Sequence, residues 1–194
     1  PEGAEFIEVD IRGDDVRNLF RKVRFDIVNH HAAQIDVRTS VANPTIDASI
    51  NLEGLLNLTE AAIEVGTRRF VFVSSGGVIY GEPSAIPTSE TAPKMPLSPY
   101  GVTKVVGESY LRVYSELHGI QATVLRFFNA YGSRQRPDMT VSIFADRIQT
   151  GREITLFGDG SIHRDYTYIG DILQGIEGAL DHPERYAVYN LGES

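Results

Sequence analysis

Short apolar runs alternate along the chain with longer stretches in which apolar residues recur every three or four positions. The short runs are typical of buried strands in a parallel sheet, and the longer stretches are typical of amphipathic helices. The pattern predicts strands at residues 6–9, 25–28, 69–73 and 122–125, and helices at about 14–23, 44–64 and 100–117. This alternation predicts an α/β fold of strand and helix units on a parallel sheet.

The pattern changes after Gly132. Residues 133–140 are polar and charged, and a predicted helix at about 141–150 and a short strand at 154–157 follow them. We therefore expect a main domain over residues 1–132 and part of a smaller lobe over 133–168. A last helix near 171–180 and a strand at 188–191 are predicted to bring residues 169–194 back to the main sheet.

The composition narrows the function classes. A chain of 194 residues is about one large domain. Its 18 lysines and arginines against 26 aspartates and glutamates give a net charge of −8, which disfavours a nucleic-acid partner. The chain has no cysteine, which excludes disulfides, cysteine-ligated metal centres and a cysteine nucleophile, and is compatible with a reducing cytoplasm. No apolar run approaches the roughly 18 residues of a membrane helix, so a cytoplasmic protein without a membrane partner is expected.

Candidate chemistry begins with Tyr100 and Lys104, which are four residues apart at the start of a predicted helix and therefore project from one face. A nearby ammonium favours the phenolate, so such a pair can act as a general base toward a sugar or alcohol hydroxyl. The alternative is a solvated contact on a helix surface. The strand at 69–73 runs into Ser74 and Ser75, and ligands of open α/β sheets gather at the carboxyl ends of strands.

Several motifs, in the same order through nearly the whole chain, resemble those of the NAD-dependent epimerase/dehydratase family, the extended short-chain dehydrogenases that act on nucleotide sugars. The matching segments are Asp10-Ile11, His31-Ala32-Ala33-Gln34, Asn51-Leu52-Glu53-Gly54, Phe70 to Ser75 with Tyr80-Gly81, Tyr100-x-x-x-Lys104, Leu125 to Gly132, Gly158-Asp159-Gly160 and Arg164-Asp165-Tyr166. The resemblance implies a Rossmann-like, doubly wound parallel sheet with a smaller substrate-binding lobe.

The resemblance also implies a role for each matched residue. Tyr100 would be the base, Lys104 would hold the nicotinamide ribose, and Ser75 would be their hydroxyl partner. The residues implied to bind NAD are Asp10, Ile11, Ala32, Ala33, Gln34, Asn51, Ser74, Ser75, Tyr100, Lys104 and Phe127. Those implied to bind a UDP-sugar are Asn129, Leu156, Phe157 and Arg164. A homodimer through the helices that begin near Pro44 and Tyr100 is also implied.

Some matched or neighbouring residues have simpler explanations. Arg164 beside Asp165 has the alternative of a surface ion pair, which is worth little. Asp171 is interpreted as a helix N-cap rather than a ligand. His30 and His31 are interpreted as structural, because neighbours in an extended segment point to opposite faces, and no metal site is expected.

The sequence departs from the family pattern in two places. The family usually carries the hydroxyl partner of the tyrosine five residues before the glycine of the Tyr-Gly pair. In this chain the position five residues before Gly81 is Gly76, so Ser75 stands one position early. No G-x-x-G-x-x-G phosphate loop occurs in the chain. The N-terminal βαβ unit and the last substrate-binding segments are therefore expected to lie outside these residues, as in the middle of a longer subunit.

The resemblance gives a preferred reaction. Gly77 and Val78 stand where a dehydratase of the family commonly has an Asp-Glu pair, which disfavours dehydration. The expected function is NAD-dependent 4-epimerisation of a nucleotide sugar through a 4-keto intermediate, with UDP-glucose and UDP-galactose as the first choice. The alternatives that stay open are a UDP-uronate epimerase, whose loop the stretch 134–139 resembles, another nucleotide-sugar oxidoreductase or dehydratase of the family, and a catalytically silent nucleotide-binding fragment.

Overall fold

A computed structural model describes residues 3–156, 158–161 and 163–193. In chain order its elements are α1 (Asp14–Val23), β1 (Ile27–His30), α2 (Val37–Ala42), α3 (Pro44–Ala48), a π-helical turn (Ser49–Glu53), α4 (Gly54–Val65), β2 (Arg69–Ser75), α5 (Gly76–Ile79), α6 (Pro99–His118), β3 (Gln121–Phe127), β4 (Asn129–Tyr131), α7 (Thr140–Gln149), β5 (Tyr166–Tyr168), α8 (Ile169–Asp181) and β6 (Tyr186–Leu191).

Four parallel strands form the main sheet in the order β1, β2, β3, β6. All four carboxyl ends therefore meet at one edge, where Ser75 of β2 lies beside Phe127 of β3 in register. The last strand, β6, pairs with β3. The division into a main domain and a smaller lobe stays a prediction.

Helices cover both faces of the sheet. On one face Phe70, Phe72 and Val124 pack against α1, α4 and α6. On the other face Val71 and Leu125 pack against α8. Strands that are buried on both faces need apolar side chains at successive positions, which is why β2 and β3 have continuous apolar runs. The predicted doubly wound α/β fold is confirmed.

Two predicted strands are wrong in the described residues. Residues 6–9 form no strand, and Phe6 is 88% exposed. A strand is held by a ladder of backbone hydrogen bonds, and in the described part of the chain β1 pairs only with β2. Residues 154–156 are likewise irregular and exposed, and Phe157, the end of the predicted strand, lies outside the described residues.

The predicted helix at 44–64 is present, but a π-helical turn divides it into α3 and α4. The sequence pattern did not predict α2, α5 or the small parallel sheet of β4 and β5. Tyr168 occupies the N-cap of α8, so the N-cap prediction for Asp171 is wrong. Asp171 instead lies in the first turn, where a carboxylate favours the helix dipole.

Two kinds of feature are absent from the described residues. None of the described helices is long and apolar enough to cross a bilayer. In the same part of the chain, no three histidine, aspartate or glutamate side chains are grouped so that they could hold a metal ion.

Candidate active site

Local sequence fixes the position of Tyr100 and Lys104. The Ser98 side chain caps α6 by accepting a hydrogen bond from the Gly101 amide at 3.1 Å, and Pro99 occupies the first helical position. Gly101 brings this first turn against α5, since a Cβ there would lie 2.8 Å from the Val78 carbonyl oxygen. The start of α6 is thereby held at the carboxyl end of β2.

Tyr100 and Lys104 are both buried in this position, with 8% and 4% of their surfaces exposed. The Lys104 Nζ donates a hydrogen bond of 2.8 Å to the Val73 carbonyl oxygen in β2. It lies 4.8 Å from the centre of the Phe72 ring and 5.7 Å from the centre of the Tyr100 ring. The solvated contact considered from the sequence is therefore wrong, and the pair lies at the sheet edge where ligands of this fold class bind.

Burial moves the pKa values of these two groups in opposite directions. It raises the pKa of Tyr100 to about 12, a direction that the charge of Asp47 reinforces and a hydrogen-bonding interaction with Ser75 opposes. It lowers the pKa of Lys104 to about 8, and the charges of Asp47 and Glu108 oppose that change. The cost of burying a phenolate is the largest influence on Tyr100, and the expectation that Lys104 makes Tyr100 easier to ionise stays a prediction.

The displaced hydroxyl has a steric explanation. A Cβ on Gly76 would lie 2.5 Å from Cζ of Phe128, so a serine at that position could not coexist with this ring. Ser75, one residue earlier, is half-buried at the end of β2, and its interaction with Tyr100 opposes the rise in the pKa of that phenol. Phe128 was not singled out from the sequence, where it is one of several apolar residues after β3.

The segment after β1 is fixed by an amide side chain of the π-helical turn. Asn51 Oδ1 accepts from the Gln34 amide at 2.9 Å, and Asn51 Nδ2 donates to the Gln34 carbonyl oxygen at 3.0 Å. The backbone of Gln34, at the end of the segment 31–34, is therefore held at both its amide and its carbonyl group. Ala32 is exposed and Ala33 half-buried, so this backbone offers small side chains to a ligand at the sheet edge.

Other predicted cofactor residues have partners within the protein. The Ser74 hydroxyl donates to Glu108 Oε1 at 2.7 Å and is buried. The Asp10 carboxylate accepts from the Arg12 guanidinium at 2.6 Å, and this hydrogen bond lowers the pKa of Asp10 to about 2. Ile11 packs on α4, where a Cβ at Gly54 would lie 2.5 Å from its Cδ1.

The predicted substrate residues are less closely grouped. Asn129 Nδ2 donates to the Asp165 carbonyl oxygen at 2.9 Å, which ties β4 to the chain before β5. Arg164 is exposed and donates to the carbonyl oxygen of its neighbour His163 at 3.1 Å. Leu156 is exposed, and Phe157 lies outside the described residues. Phe127 ends β3 and lies with its ring 6.0 Å from the His31 ring.

Sequence reasoning missed three buried charged residues around the pair: Asp47, Glu108 and Arg126. Two of them had a signal in the sequence. Arg126 interrupts the apolar run of β3, and Asp47 stands four residues before Asn51 on the same helical stretch.

The chain is similar to known proteins over nearly its whole length. The model of the family described as the NAD dependent epimerase/dehydratase family matches residues 1–192. A UDP-glucose 4-epimerase of Mycolicibacterium smegmatis is 41% identical over 172 residues, which is 87% of this chain and 55% of that protein.

Solved structures give the same result. A crystal structure of the Thermus thermophilus UDP-glucose 4-epimerase in complex with NAD is 41% identical and superposes with a TM-score of 0.92, over 99% of this chain and 64% of that one. A UDP-glucuronic acid 4-epimerase of Bacillus cereus, solved with UDP-glucuronic acid and NAD, is 36% identical with a TM-score of 0.88, over 98% of this chain and 60% of that one. The chain therefore spans only about 55–64% of the length of these proteins.

Proposed function

Because this chain belongs to the NAD dependent epimerase/dehydratase family, we propose that it carries the catalytic side chains of an NAD-dependent nucleotide-sugar 4-epimerase. The observation that carries the proposal is the burial of Tyr100 and Lys104 together at the carboxyl end of β2, with Ser75 beside the phenol. The similar proteins named above are 4-epimerases of UDP-sugars, which supports the same reaction here.

The residues present fit the nicotinamide and ribose part of NAD. Asn51 holds the backbone of Gln34 at the end of the segment 31–34, Ala32 and Ala33 have small side chains there, and Lys104 supplies a buried ammonium nearby. We propose that Lys104 exchanges its bond to the Val73 carbonyl oxygen for bonds to ribose hydroxyls. NAD, when bound, supplies the hydride acceptor for C4 of the sugar and returns the hydride afterwards.

In the proposed reaction Tyr100 takes the proton of the sugar 4-hydroxyl while the electron pair of the C4–H bond leaves as hydride. The C4–O bond becomes a carbonyl, and Tyr100 gives the proton back when C4 receives the hydride on its other face. A pKa of about 12 makes the free phenol a poor base near neutrality. The base form therefore depends on positive charge, which Lys104 supplies while it is protonated.

The nucleotide sugar of first choice is UDP-glucose with UDP-galactose as product. Asn129 and Arg164 are proposed to bind the diphosphate, with Leu156 and Phe157 beside the nucleobase. One observation favours a UDP-uronate as the second candidate: Arg134 and Arg136 are exposed cations of the loop after β4, and a uronate carries a carboxylate that such groups bind. Positions 77 and 78 offer no carboxyl group for a dehydratase.

The test is Tyr100→Phe in the intact protein, with 4-epimerisation of UDP-glucose and of UDP-glucuronate measured separately. We expect the rate with the preferred substrate to fall by at least about 10²-fold, with bound NAD and the melting temperature unchanged. Tyr110→Phe is the matched control, because it removes a hydroxyl from an exposed tyrosine of the same helix.

Two outcomes would contradict the proposal. Full activity in Tyr100→Phe would remove the tyrosine as base. A wild-type protein that holds no NAD and converts neither sugar would favour the silent nucleotide-binding fragment. Accumulation of NADH during turnover would instead indicate a net oxidoreductase of the same family.

We also propose a homodimer through α3, α4 and α6. The support is a set of exposed apolar side chains on α3 and α6, among them Ile46, Val102 and Val113. Sedimentation of the intact protein tests it, and a monomer at micromolar concentration would remove it. We also propose a cytoplasmic location, and its only support is that the chain has no cysteine.

A further inference from the structure

Asp47 is a carboxylate with no exposed surface, on α3. Its Oδ1 accepts hydrogen bonds from Gln34 Nε2 at 2.8 Å and from Asn51 Nδ2 at 3.1 Å. Its Oδ2 lies 3.1 Å from the Thr103 hydroxyl. Within the described part of the chain, no lysine, arginine or histidine forms an ion pair with it. A buried charge held only by neutral donors is costly, so its presence calls for a physical reason.

The contacts of Asp47 reach two different parts of the proposed site. Through Gln34 and Asn51 it holds the end of the segment 31–34. Through Thr103 it reaches the first turn of α6, because the Thr103 hydroxyl also lies 2.9 Å from the Tyr100 carbonyl oxygen. One carboxylate therefore connects the segment proposed to face NAD with the helical turn that carries Tyr100 and Lys104.

We propose that Asp47 is a positioning residue of the Tyr100 and Lys104 pair, which sets their charge state and fixes the first turn of α6 relative to the segment 31–34. The inference rests on the proposed function. Nothing in the sequence pattern assigned a role to Asp47, and the proposed reaction does not use it directly.

The charges around Lys104 show how Asp47 would act. Lys104 faces Asp47 from α3, Glu108 from its own helix, and His30 and His31 from β1 and the segment after it. Burial lowers the pKa of Lys104, and Asp47 is the larger of the two carboxylate influences that raise it again. Asp47 also raises the pKa of Tyr100. Neutralising Asp47 should therefore lower both pKa values.

The primary test is Asp47→Asn, observed by NMR titration of lysine labelled with 13C at Cε in the intact protein. The asparagine can keep the network, since its Oδ1 accepts from the two amides and its Nδ2 can donate to the Thr103 hydroxyl. The Lys104 resonance is assigned by its loss in Lys104→Arg. In the wild type we expect a midpoint near the pKa of about 8. In Asp47→Asn we expect it lower by at least about half a pH unit.

Thr103→Val is the matched control, because it removes a hydrogen bond from Asp47 but keeps the charge. Its Lys104 midpoint should stay at the wild-type value. In the pH profile of epimerisation, both limbs should move to lower pH in Asp47→Asn, because neutralising Asp47 lowers the pKa of Tyr100 and that of Lys104. A purely structural role would lower the rate without moving the limbs.

An unchanged Lys104 midpoint in folded Asp47→Asn would overturn the proposal. If that variant fails to fold, Asp47→Ser, which leaves room for a water between the amides, takes its place. Failure of both neutral variants to fold, with Thr103→Val folded, would show a structural residue and also overturn it. The NMR readout needs neither NAD nor turnover, so its failure is distinguishable from failure of the proposed epimerase function.

Discussion

The ion pair between Glu108 of α6 and Arg126 of β3 offers the sharpest stability test, because each side chain is 1% exposed. Arg126 donates to the carboxylate twice, from Nε at 2.9 Å and from Nη2 at 2.7 Å. Its Nη1 donates to the Tyr80 hydroxyl at 2.6 Å and to the Glu90 carbonyl oxygen at 2.9 Å. The change to make is Glu108→Gln, which keeps the shape and removes the charge.

The expected cost follows from what is left behind. Arg126 cannot release its proton, so Glu108→Gln leaves a guanidinium buried without a counter-charge and with one fewer acceptor. Removing one partner of a buried pair lowers the free energy of unfolding by about 3–5 kcal/mol. The new glutamine keeps an amide oxygen that can accept from Arg126, so we expect the low end of that range, about 3 kcal/mol. Glu116→Gln is the matched control on the same helix, because Glu116 is 60% exposed in its pair with Arg185. That pair is worth about 0–1 kcal/mol.

The assay is guanidinium unfolding of the intact protein, with wild type and both variants at the same ligand concentrations. Glu108→Gln should lower the free energy of unfolding by several times as much as Glu116→Gln. The double variant Glu108→Leu with Arg126→Met should recover most of the loss, because it removes the unpaired charge as well. A cost of Glu108→Gln that equals that of the exposed control would refute the reasoning.

Two further predictions concern single side chains. Burial lowers the pKa of His30 to about 3, so the folded state holds it neutral while the unfolded chain binds a proton below about 6.5. Stability should therefore fall as the pH drops from about 6.5 toward about 3. Urea unfolding midpoints measured at two pH values should show a smaller loss in His30→Leu than in the wild type. The control His182→Leu, at an exposed site, should lose as much as the wild type. Gly76→Ala should cost about 1–3 kcal/mol, because its Cβ would meet the Phe128 ring at 2.5 Å. Gly77→Ala, whose Cβ meets nothing within 4 Å, should change the melting temperature little, and equal effects of the two alanines would contradict the steric explanation.

The main sheet could be predicted from the sequence because its signal is local. The apolar runs of β2 and β3 and the helical period of α6 are written in consecutive residues. The errors occur where structure depends on a distant partner. Residues 6–9 have the composition of a strand but pair with no other strand among the described residues. The strand β4 pairs with β5, which lies more than thirty positions later in the sequence.

The same distinction applies to the site. Tyr100 and Lys104 could be predicted because four residues of helix place them on one face. The different surroundings of Ser74 and Ser75 could not be predicted in this way, because the hydrogen-bond partner of Ser74 is Glu108, which belongs to another element. In the sequence Glu108 is indistinguishable from an ordinary helix carboxylate, because its partner Arg126 belongs to β3.

The electrostatics of the site follow from this arrangement of distant partners. Lys104 is buried with a pKa of about 8, close enough to neutrality that nearby carboxylates decide whether it is charged. In the proposed reaction Tyr100 needs that charge, yet Asp47, which protects the ammonium, also opposes the phenolate. A carboxylate that lies nearer to the lysine than to the phenol would stabilise the ammonium more than it destabilises the phenolate. In the proposed reaction, the positions of Asp47 and Glu108 around Lys104 would therefore determine how far the pair can act as a base, and the tyrosine and lysine motif by itself would not.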